Sequence, residues 1–187
     1  MRPLIHADHT SMPHTLGRLF LFVAVAVLAP LTTRSLCAQA RTAAKPHTHG
    51  QATLDIGIEG LTGTIEFRAP GDDLYGFEHE PRNATERARR DAAFATLRSK
   101  AASLVIFDSA LGCALSAQRV GVDTKSGDHG DVIATYSLTC RRALAGRPIG
   151  FGFSRAFPEV HSVKVQLVSD TAQVGLEIVA DKGTVRP

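Results

Sequence analysis

Alternating apolar and polar residues mark the first regular elements of the chain. Between Gln51 and Phe67 the alternation runs through two segments, which are interrupted at Glu59-Gly60. Successive side chains of a strand point to opposite faces, so this pattern predicts a β-hairpin with one buried and one solvated face. Gly60 can adopt the positive φ that tight hairpin turns need, which places the turn at Glu59-Gly60.

A long helix is predicted after a loop that covers residues 72–82. Asn83 can cap the helix, and Glu86 stands three residues later, as in a capping box. Apolar residues then recur at helical spacing on one face, while charged residues occupy the remaining surface and indicate a solvated face. The apolar positions are Phe94, Leu97, Ala101 and Leu104.

Further apolar alternation predicts the other strands, with a short helical bend near Phe157-Pro158-Glu159. The last two strands form a hairpin around Ser169-Asp170. Together the elements predict an α+β domain, mainly an antiparallel β-sheet with one long α-helix and short helical turns. The strands are expected over residues 104–107, 113–122, 131–140, 149–153, 163–167 and 174–178.

The first forty residues read as a cleaved secretory signal peptide. Arg18 precedes an apolar run from Leu19 to Ala29, and Ala38-Gln39-Ala40 supplies the small residues of a cleavage site. A permanent membrane helix needs about 20 apolar residues, which this run does not provide. We therefore expect residues 1–40 to be removed, and residues 41–187 to form a single exported domain without a permanent membrane span.

Two details of the leader are open at this point. Cys37 follows Arg34-Ser35-Leu36, and Arg34 and Leu36 fit a lipoprotein box poorly, so we expect Cys37 to leave with the leader rather than to carry lipid. The leader is long before Arg18, and translation starts at either Met1 or Met12.

The charge of the expected mature chain is nearly balanced. The residues after Ala40 include 18 Lys and Arg against 17 Asp and Glu, although the full chain has a net charge of +3. Nucleic-acid binding requires a strong basic patch, so we expect no nucleic-acid partner.

Two cysteines, Cys113 and Cys140, remain in the expected mature chain. An exported protein meets an oxidising environment, where such a pair typically forms a disulfide. The alternative is that both thiolates bind a soft metal, although their spacing matches no CxxC ligand pair.

Histidines are the candidate metal ligands. His47 and His49 lie just before the first predicted strand, and if the strand extends that far, both rings point to its solvated side. Neutral imidazole binds Zn²⁺ or Cu²⁺ well. The pair therefore predicts a metal site, and the alternative is two solvated residues at a chain end.

The remaining histidines each have two interpretations. His79 lies between Glu78 and Glu80, so these three residues could bind a cation, or His79 could support the start of the helix. His129 lies in an acidic turn and is either a weak ligand or part of a polar hairpin loop. His161 shares the side of buried strand residues, which favours a core position or an orienting role over direct metal binding.

Enzyme motifs are missing from the sequence. It contains no G-x-S-x-G, no HExxH and no Gly-rich phosphate loop. We therefore expect the protein not to be an enzyme. A zinc hydrolase that uses Glu78 or Glu80 as its base is the remaining enzymatic alternative.

Several segments together resemble the ZrgA-type periplasmic zinc-binding proteins over essentially the whole expected mature chain. They are His47-Thr48-His49-Gly50, Gly76-Phe77-Glu78-His79-Glu80-Pro81-Arg82, Gly112-Cys113 with Tyr136-Ser137-Leu138-Thr139-Cys140, and Phe157-Pro158-Glu159 before Val163-Lys164-Val165-Gln166-Leu167-Val168. The resemblance implies a periplasmic protein for zinc capture or delivery, with an envelope transport component as its partner. Copper is the alternative metal, and a disulfide-stapled interaction module without a metal site is the alternative function.

The chain departs from the family pattern between its two cysteine-bearing strands. Better-described members carry a long histidine-rich run there, whereas this chain has Lys125 to Asp131 with a single histidine, His129. We therefore expect the scaffold to supply the zinc site. His47, His49 and His79 are the predicted ligands, and Glu78, Glu80, His129 or His161 supplies a fourth or orients the others.

Overall fold

The computed structural model describes residues 48–123 and 130–187. The predicted hairpin is present and is formed by β1 (Gln51–Glu59) and β2 (Thr62–Pro70), which pair in antiparallel register. Gly60 in the turn has a φ of 57°, the positive value that the sequence predicted for it. Every second residue of β1 from Ala52 to Ile58 is buried, so the predicted inner face is confirmed.

Six strands form the main sheet. Their order is β4-β5-β2-β1-β7-β8, and β3 and β6 form a separate two-stranded sheet. All neighbours are antiparallel except β1 and β7, which run parallel. The predicted α+β class with a largely antiparallel sheet is confirmed. The remaining strands are β3 (Val105–Phe107), β4 (Ala114–Asp123), β5 (Asp131–Thr139), β6 (Ile149–Phe151), β7 (Ser162–Val168) and β8 (Gln173–Val179).

The long helix begins where the sequence predicted. The Asn83 side chain accepts a hydrogen bond from Glu86 N, and the Glu86 carboxylate accepts from Arg82 N. These bonds satisfy amides that the first helical turn leaves unpaired. The helices are α1 (Gly71–Tyr75), α2 (Ala84–Ser99), α3 (Ala101–Leu104) and α4 (Phe153–Ala156), with a 3₁₀ turn at Ser109–Leu111.

The expectation of a loop throughout residues 72–82 was wrong at its start, because α1 begins directly after β2. Asp72 and Asp73 lie in the first turn of α1, where carboxylates are favoured by the exposed amides. Gly71 allows a close approach, since a Cβ there would lie 2.5 Å from the Tyr75 hydroxyl oxygen. The chain therefore turns sharply at the end of β2 and keeps Asp72 and Asp73 at that end of the sheet.

The core lies on one face of the sheet, beneath the helices. Phe67 of β2 stacks on Phe153 of α4 with ring centroids 4.4 Å apart. Tyr136 of β5 is buried and donates its hydroxyl hydrogen bond to the Leu97 carbonyl of α2 at 2.9 Å. Burial raises the pKa of Tyr136 far above its ordinary value, so this hydroxyl stays protonated and anchors the long helix to the sheet.

The predicted disulfide is confirmed between Cys113 and Cys140. Cys140 follows β5, and its backbone N–H donates to Leu61 O in the turn of the first hairpin. The bridge therefore lies at the end of the sheet where β1 and β2 are joined.

Within residues 48–123 and 130–187, none of the helices combines the length and the apolar character that crossing a bilayer requires. The described residues belong to one compact unit, which spans Thr42–Pro187.

Candidate metal site

Three parts of the chain meet at the end of the sheet opposite the first hairpin turn. His49 precedes β1, Asp72 and Asp73 follow β2, and His161 precedes β7. Since β2, β1 and β7 are neighbours in the sheet, their ends at this edge lie side by side. The topology therefore brings together residues that are up to 112 positions apart in the sequence.

Gly50 decides the direction in which His49 leaves the sheet. The strand does not extend back through His49, because β1 begins at Gln51. Thr48–Gly50 forms a turn that is closed by a hydrogen bond from Gln51 N to Thr48 O. Gly50 has a φ of 77°, which breaks the alternation of a strand. The condition for placing His49 on the solvated strand face is therefore not met, and the turn directs His49 towards α1.

His49 lies against the two carboxylates at the start of α1. Its Nδ1 atom is 3.5 Å from Asp72 Oδ2 and 3.9 Å from Asp73 Oδ1. Ligand atoms on a tetrahedral zinc ion lie about 3.3 Å apart, since each is about 2 Å from the metal. Within the part of the chain that the structure describes, this is the one group of at least three such residues whose ligand atoms all lie within 4.8 Å of one another.

Asp73 is the fixed member of this group. Its side chain is 4% exposed, whereas those of Asp72 and His49 are 49% and 63% exposed. Its Oδ2 atom accepts a hydrogen bond from Gly50 N at 2.8 Å, while Oδ1 faces His49. One carboxylate oxygen is thus held by the backbone, and the other is directed towards the imidazole, an arrangement that orients metal ligands.

The electrostatic environment of Asp73 combines opposing effects. Burial is the largest and raises the pKa of Asp73, because it penalises the ionised form. The hydrogen bond from Gly50 N and the charges of His49 and His161 act in the opposite direction, and Asp72 raises the pKa further. A cation at this position would offset the cost of burying the negative charge.

The group does not include His79, Glu78 or Glu80, which contact other residues. The His79 ring stacks on Phe77 with centroids 5.1 Å apart, and its Nδ1 atom is 4.0 Å from Glu86 Oε2. Glu80 is exposed and lies 3.6 Å from Arg90 Nη1. Glu78 is half-buried, and its backbone carbonyl accepts from Gly130 N. The structure thus associates His79 with the start of α2, which was the alternative interpretation of its sequence position.

His161 is exposed, contrary to the expectation of a core position. The strand β7 begins one residue later, at Ser162, so the alternation of buried residues does not extend back to His161. The predicted ligands His47 and His129 lie outside the described residues. Their roles stay predictions.

Asp72 and Asp73 are not among the ligands predicted from the sequence. Their place opposite His49 depends on the register of the first hairpin, in which Glu59 pairs with Thr62. Thr53 pairs with Arg68, and continuing that register by four residues on each strand places His49 opposite Asp72. The turn predicted at Glu59-Gly60 would instead place His49 opposite Pro70, and the acidic pair falls in the segment predicted as a loop.

One imidazole nitrogen and two carboxylate oxygens form a donor set that suits a borderline divalent cation such as Zn²⁺. The exposed edges of His49 and Asp72 leave the position accessible from solvent. Comparison with protein families finds that residues 46–187 match the model of the ZrgA family of zinc uptake proteins.

The chain belongs to the ZrgA family. The match covers all the residues that form the sheet and the candidate site, as the sequence resemblance implied. Membership gives this ZrgA protein a role connected with zinc. Comparison with curated proteins finds no match.

Proposed function

We propose that this ZrgA protein captures Zn²⁺ in the periplasm and delivers it to an uptake system, acting as a carrier and not as an enzyme. The main observation that supports this proposal is that His49, Asp72 and Asp73 lie close together at the end of the sheet, in a chain that belongs to a zinc uptake family. Zinc is the cargo, and these three residues are its proposed ligands.

The exposure of the site supports exchange of the ion. His49 and Asp72 lie at the surface, so an incoming ligand from a partner can approach the metal without opening the core. Asp73 is held by Gly50 N and gives the site a fixed point. A site at the surface lets a partner's ligand reach the ion directly, whereas structural zinc sites are closed by four protein ligands.

Calorimetric titration of the metal-free protein with Zn²⁺ tests this proposal. We expect saturable binding of one ion with a dissociation constant below roughly 10 μM. His49→Ala should weaken zinc binding by at least about 10-fold, because loss of even an orienting group near a metal costs 10- to 100-fold in affinity. His49 is exposed, so the variant should keep the stability of the wild type.

His79→Ala is the matched control, since it also removes an imidazole, and His79 is partly exposed and lies outside the group. We expect its zinc affinity to equal that of the wild type. Equal losses of zinc affinity in both variants would instead support the ligand set predicted from the sequence, in which His49 and His79 bind the same ion. Absence of saturable zinc binding by the wild type would reject the carrier role and leave the interaction module. Copper in place of zinc in protein isolated from cells grown with both metals would reject zinc as the cargo.

The proposed location has its own test. Export should remove the leader after Ala40, so the protein recovered from the periplasmic fraction should begin at Arg41 when its mass is measured. A protein that retains residues 1–40 or stays in the cytoplasmic fraction would contradict periplasmic capture.

A further inference from the structure

His161 occupies the third strand end at this edge of the sheet. The parallel register of β1 and β7 pairs Gln51 with Ser162, so His161 lies beside Gly50, one residue before each strand begins. The neighbouring ends therefore present His49, Asp73 and His161 around a single glycine.

The backbone fixes His161 relative to Asp73. Gly50 O accepts hydrogen bonds from His161 N at 2.9 Å and from Ser162 N at 3.0 Å, while Gly50 N donates to Asp73 Oδ2. The carbonyl of His161 accepts from Ala180 N on the other side. Both peptide groups of Gly50 are thus engaged, one by the carboxylate of the proposed site and the other by the backbone that carries the imidazole.

The His161 ring lies directly against Gly50. A Cβ atom at position 50 would be 2.6 Å from His161 Nδ1, so the imidazole occupies the space where a side chain at position 50 would begin. The positive φ of residue 50 is what favours glycine here. The ring is exposed, so its rotation about the side-chain bonds is not restricted by a packed core.

The chemistry of the group leaves one position to fill. Zinc is most often four-coordinate in proteins, and His49, Asp72 and Asp73 provide three ligand atoms. His161 is not within 4.8 Å of all three, so its ring must rotate from Gly50 to reach a shared ion. Gly50 joins the two residues, because its N–H donates to Asp73 Oδ2 and its carbonyl accepts from His161 N.

We propose that His161 is the fourth zinc ligand, which completes a tetrahedral set of two imidazoles and two carboxylates. This inference rests on the proposed function, since it assumes that His49, Asp72 and Asp73 bind zinc. It assigns a role to a residue that would otherwise be an exposed histidine beside Gly50.

Zinc titration and a cobalt spectrum of His161→Ala test the inference. We expect the dissociation constant for Zn²⁺ to rise at least about 10-fold relative to the wild type. With Co²⁺ in place of Zn²⁺, the visible absorption of the variant should differ from that of the wild type, because one nitrogen ligand is replaced by water. His79→Ala is again the control and should leave both readouts unchanged.

A second measurement uses the wild-type chain and does not depend on the folding of a variant. Diethyl pyrocarbonate modifies imidazole nitrogens, and mass spectrometry locates the modified histidines. Zinc should protect His161 together with His49 and should leave the modification of His79 unchanged.

Two negative results separate the two proposals. If the wild type binds zinc, but His161→Ala has the wild-type affinity and cobalt spectrum and zinc leaves His161 open to modification, the fourth-ligand inference is overturned and the three-residue site stands. If the wild type binds no zinc, both proposals are rejected.

Discussion

Asp73 shows how one residue can serve both the fold and the proposed site. Its carboxylate holds the Gly50 turn through one oxygen, and it offers the other oxygen to a cation beside His49. The two roles make different demands on charge, since the hydrogen bond needs an acceptor, whereas metal binding favours a negative charge. Substitution by asparagine separates them, because the amide oxygen still accepts a hydrogen bond but carries no charge.

We predict that Asp73→Asn weakens zinc binding by at least about 10-fold without lowering the stability of the metal-free protein at neutral pH. Burial raises the pKa of Asp73 above its ordinary value of 3.8, so the folded state holds this proton more tightly than the unfolded state. The associated stability is present below pH 3.8 and is lost as the pH rises through the folded pKa. Asparagine stays neutral and avoids that loss.

Urea unfolding in the presence of a chelator, combined with zinc titration, checks this prediction. Asp72→Asn is the control for stability, because Asp72 is half-exposed and should change the free energy of unfolding little. A loss of more than about 1 kcal/mol in Asp73→Asn would show that the charge itself supports the Gly50 turn.

Residue chemistry alone identified part of the candidate site. His49 and His161 could be selected from the sequence because few histidines are present and each is a competent ligand. Asp72 and Asp73 could not be selected in the same way, since carboxylates are common on protein surfaces and most bind no metal. Their selection needs a partner across the sheet, which only the register of β1 and β2 supplies.

At the scale of elements, the start of α2 can be predicted from the residues immediately around it. Asn83 and Glu86 act within one turn of the chain, so the signal for this boundary is local. The start of β1 illustrates the opposite case. Its boundary depends on Gly50, whose N–H is bound by a carboxylate 23 residues away, and no local pattern contains that contact.

We predict that Glu86→Gln reduces the stability of the protein at neutral pH but not in acid. The hydrogen bond from Arg82 N is the main cause that lowers the pKa of Glu86 from its ordinary value of 4.5. A lowered folded pKa contributes stability that is present above pH 4.5 and is lost as the pH falls through the folded pKa. Glutamine keeps the acceptor atoms but not the charge that strengthens these bonds.

Unfolding measured between neutral pH and about pH 3 tests this dependence, since both chains should converge when Glu86 is protonated. Asp91→Asn, on the exposed surface of the same helix, is the control and should show no comparable convergence. A constant difference between wild type and Glu86→Gln at every pH would contradict the assigned role of the charge.

For the whole molecule, the sequence predicts the hairpins and the α+β class but not the order of the strands. Hairpin partners lie close together along the chain, so alternation and a turn are enough to pair β1 with β2 and β7 with β8. The parallel pairing of β1 with β7 joins residues 111 positions apart. It follows from packing of the complete core, and it is this pairing that brings His161 to His49 and Asp73.

The disulfide contributes stability at the scale of the whole domain. It joins cysteines 27 residues apart and lies at the sheet end opposite the candidate site. We predict that Cys113→Ala with Cys140→Ala lowers the free energy of unfolding by about 3 kcal/mol, because the unfolded chain regains the freedom of the closed loop. Zinc affinity should be unchanged, since the nine residues of β1 separate the two ends of the sheet by about 30 Å.

Urea unfolding of the double variant and of the wild type, each with and without reductant, measures this contribution. Reductant should destabilise the wild type and leave the variant unaffected. A parallel loss of zinc affinity would mean that the two ends of the sheet are energetically coupled, in contradiction to this prediction.

The placement of the candidate site across the ends of β2, β1 and β7 has a consequence for turnover of the protein. With His161 as the fourth ligand of the proposed site, a bound ion links three strands and stabilises the folded state in proportion to its occupancy. If the protein acts in the periplasm as proposed, the metal-free chain should open more often at this edge and be degraded sooner by the proteases there. The abundance of the carrier would then follow the supply of its cargo, without any change in gene expression.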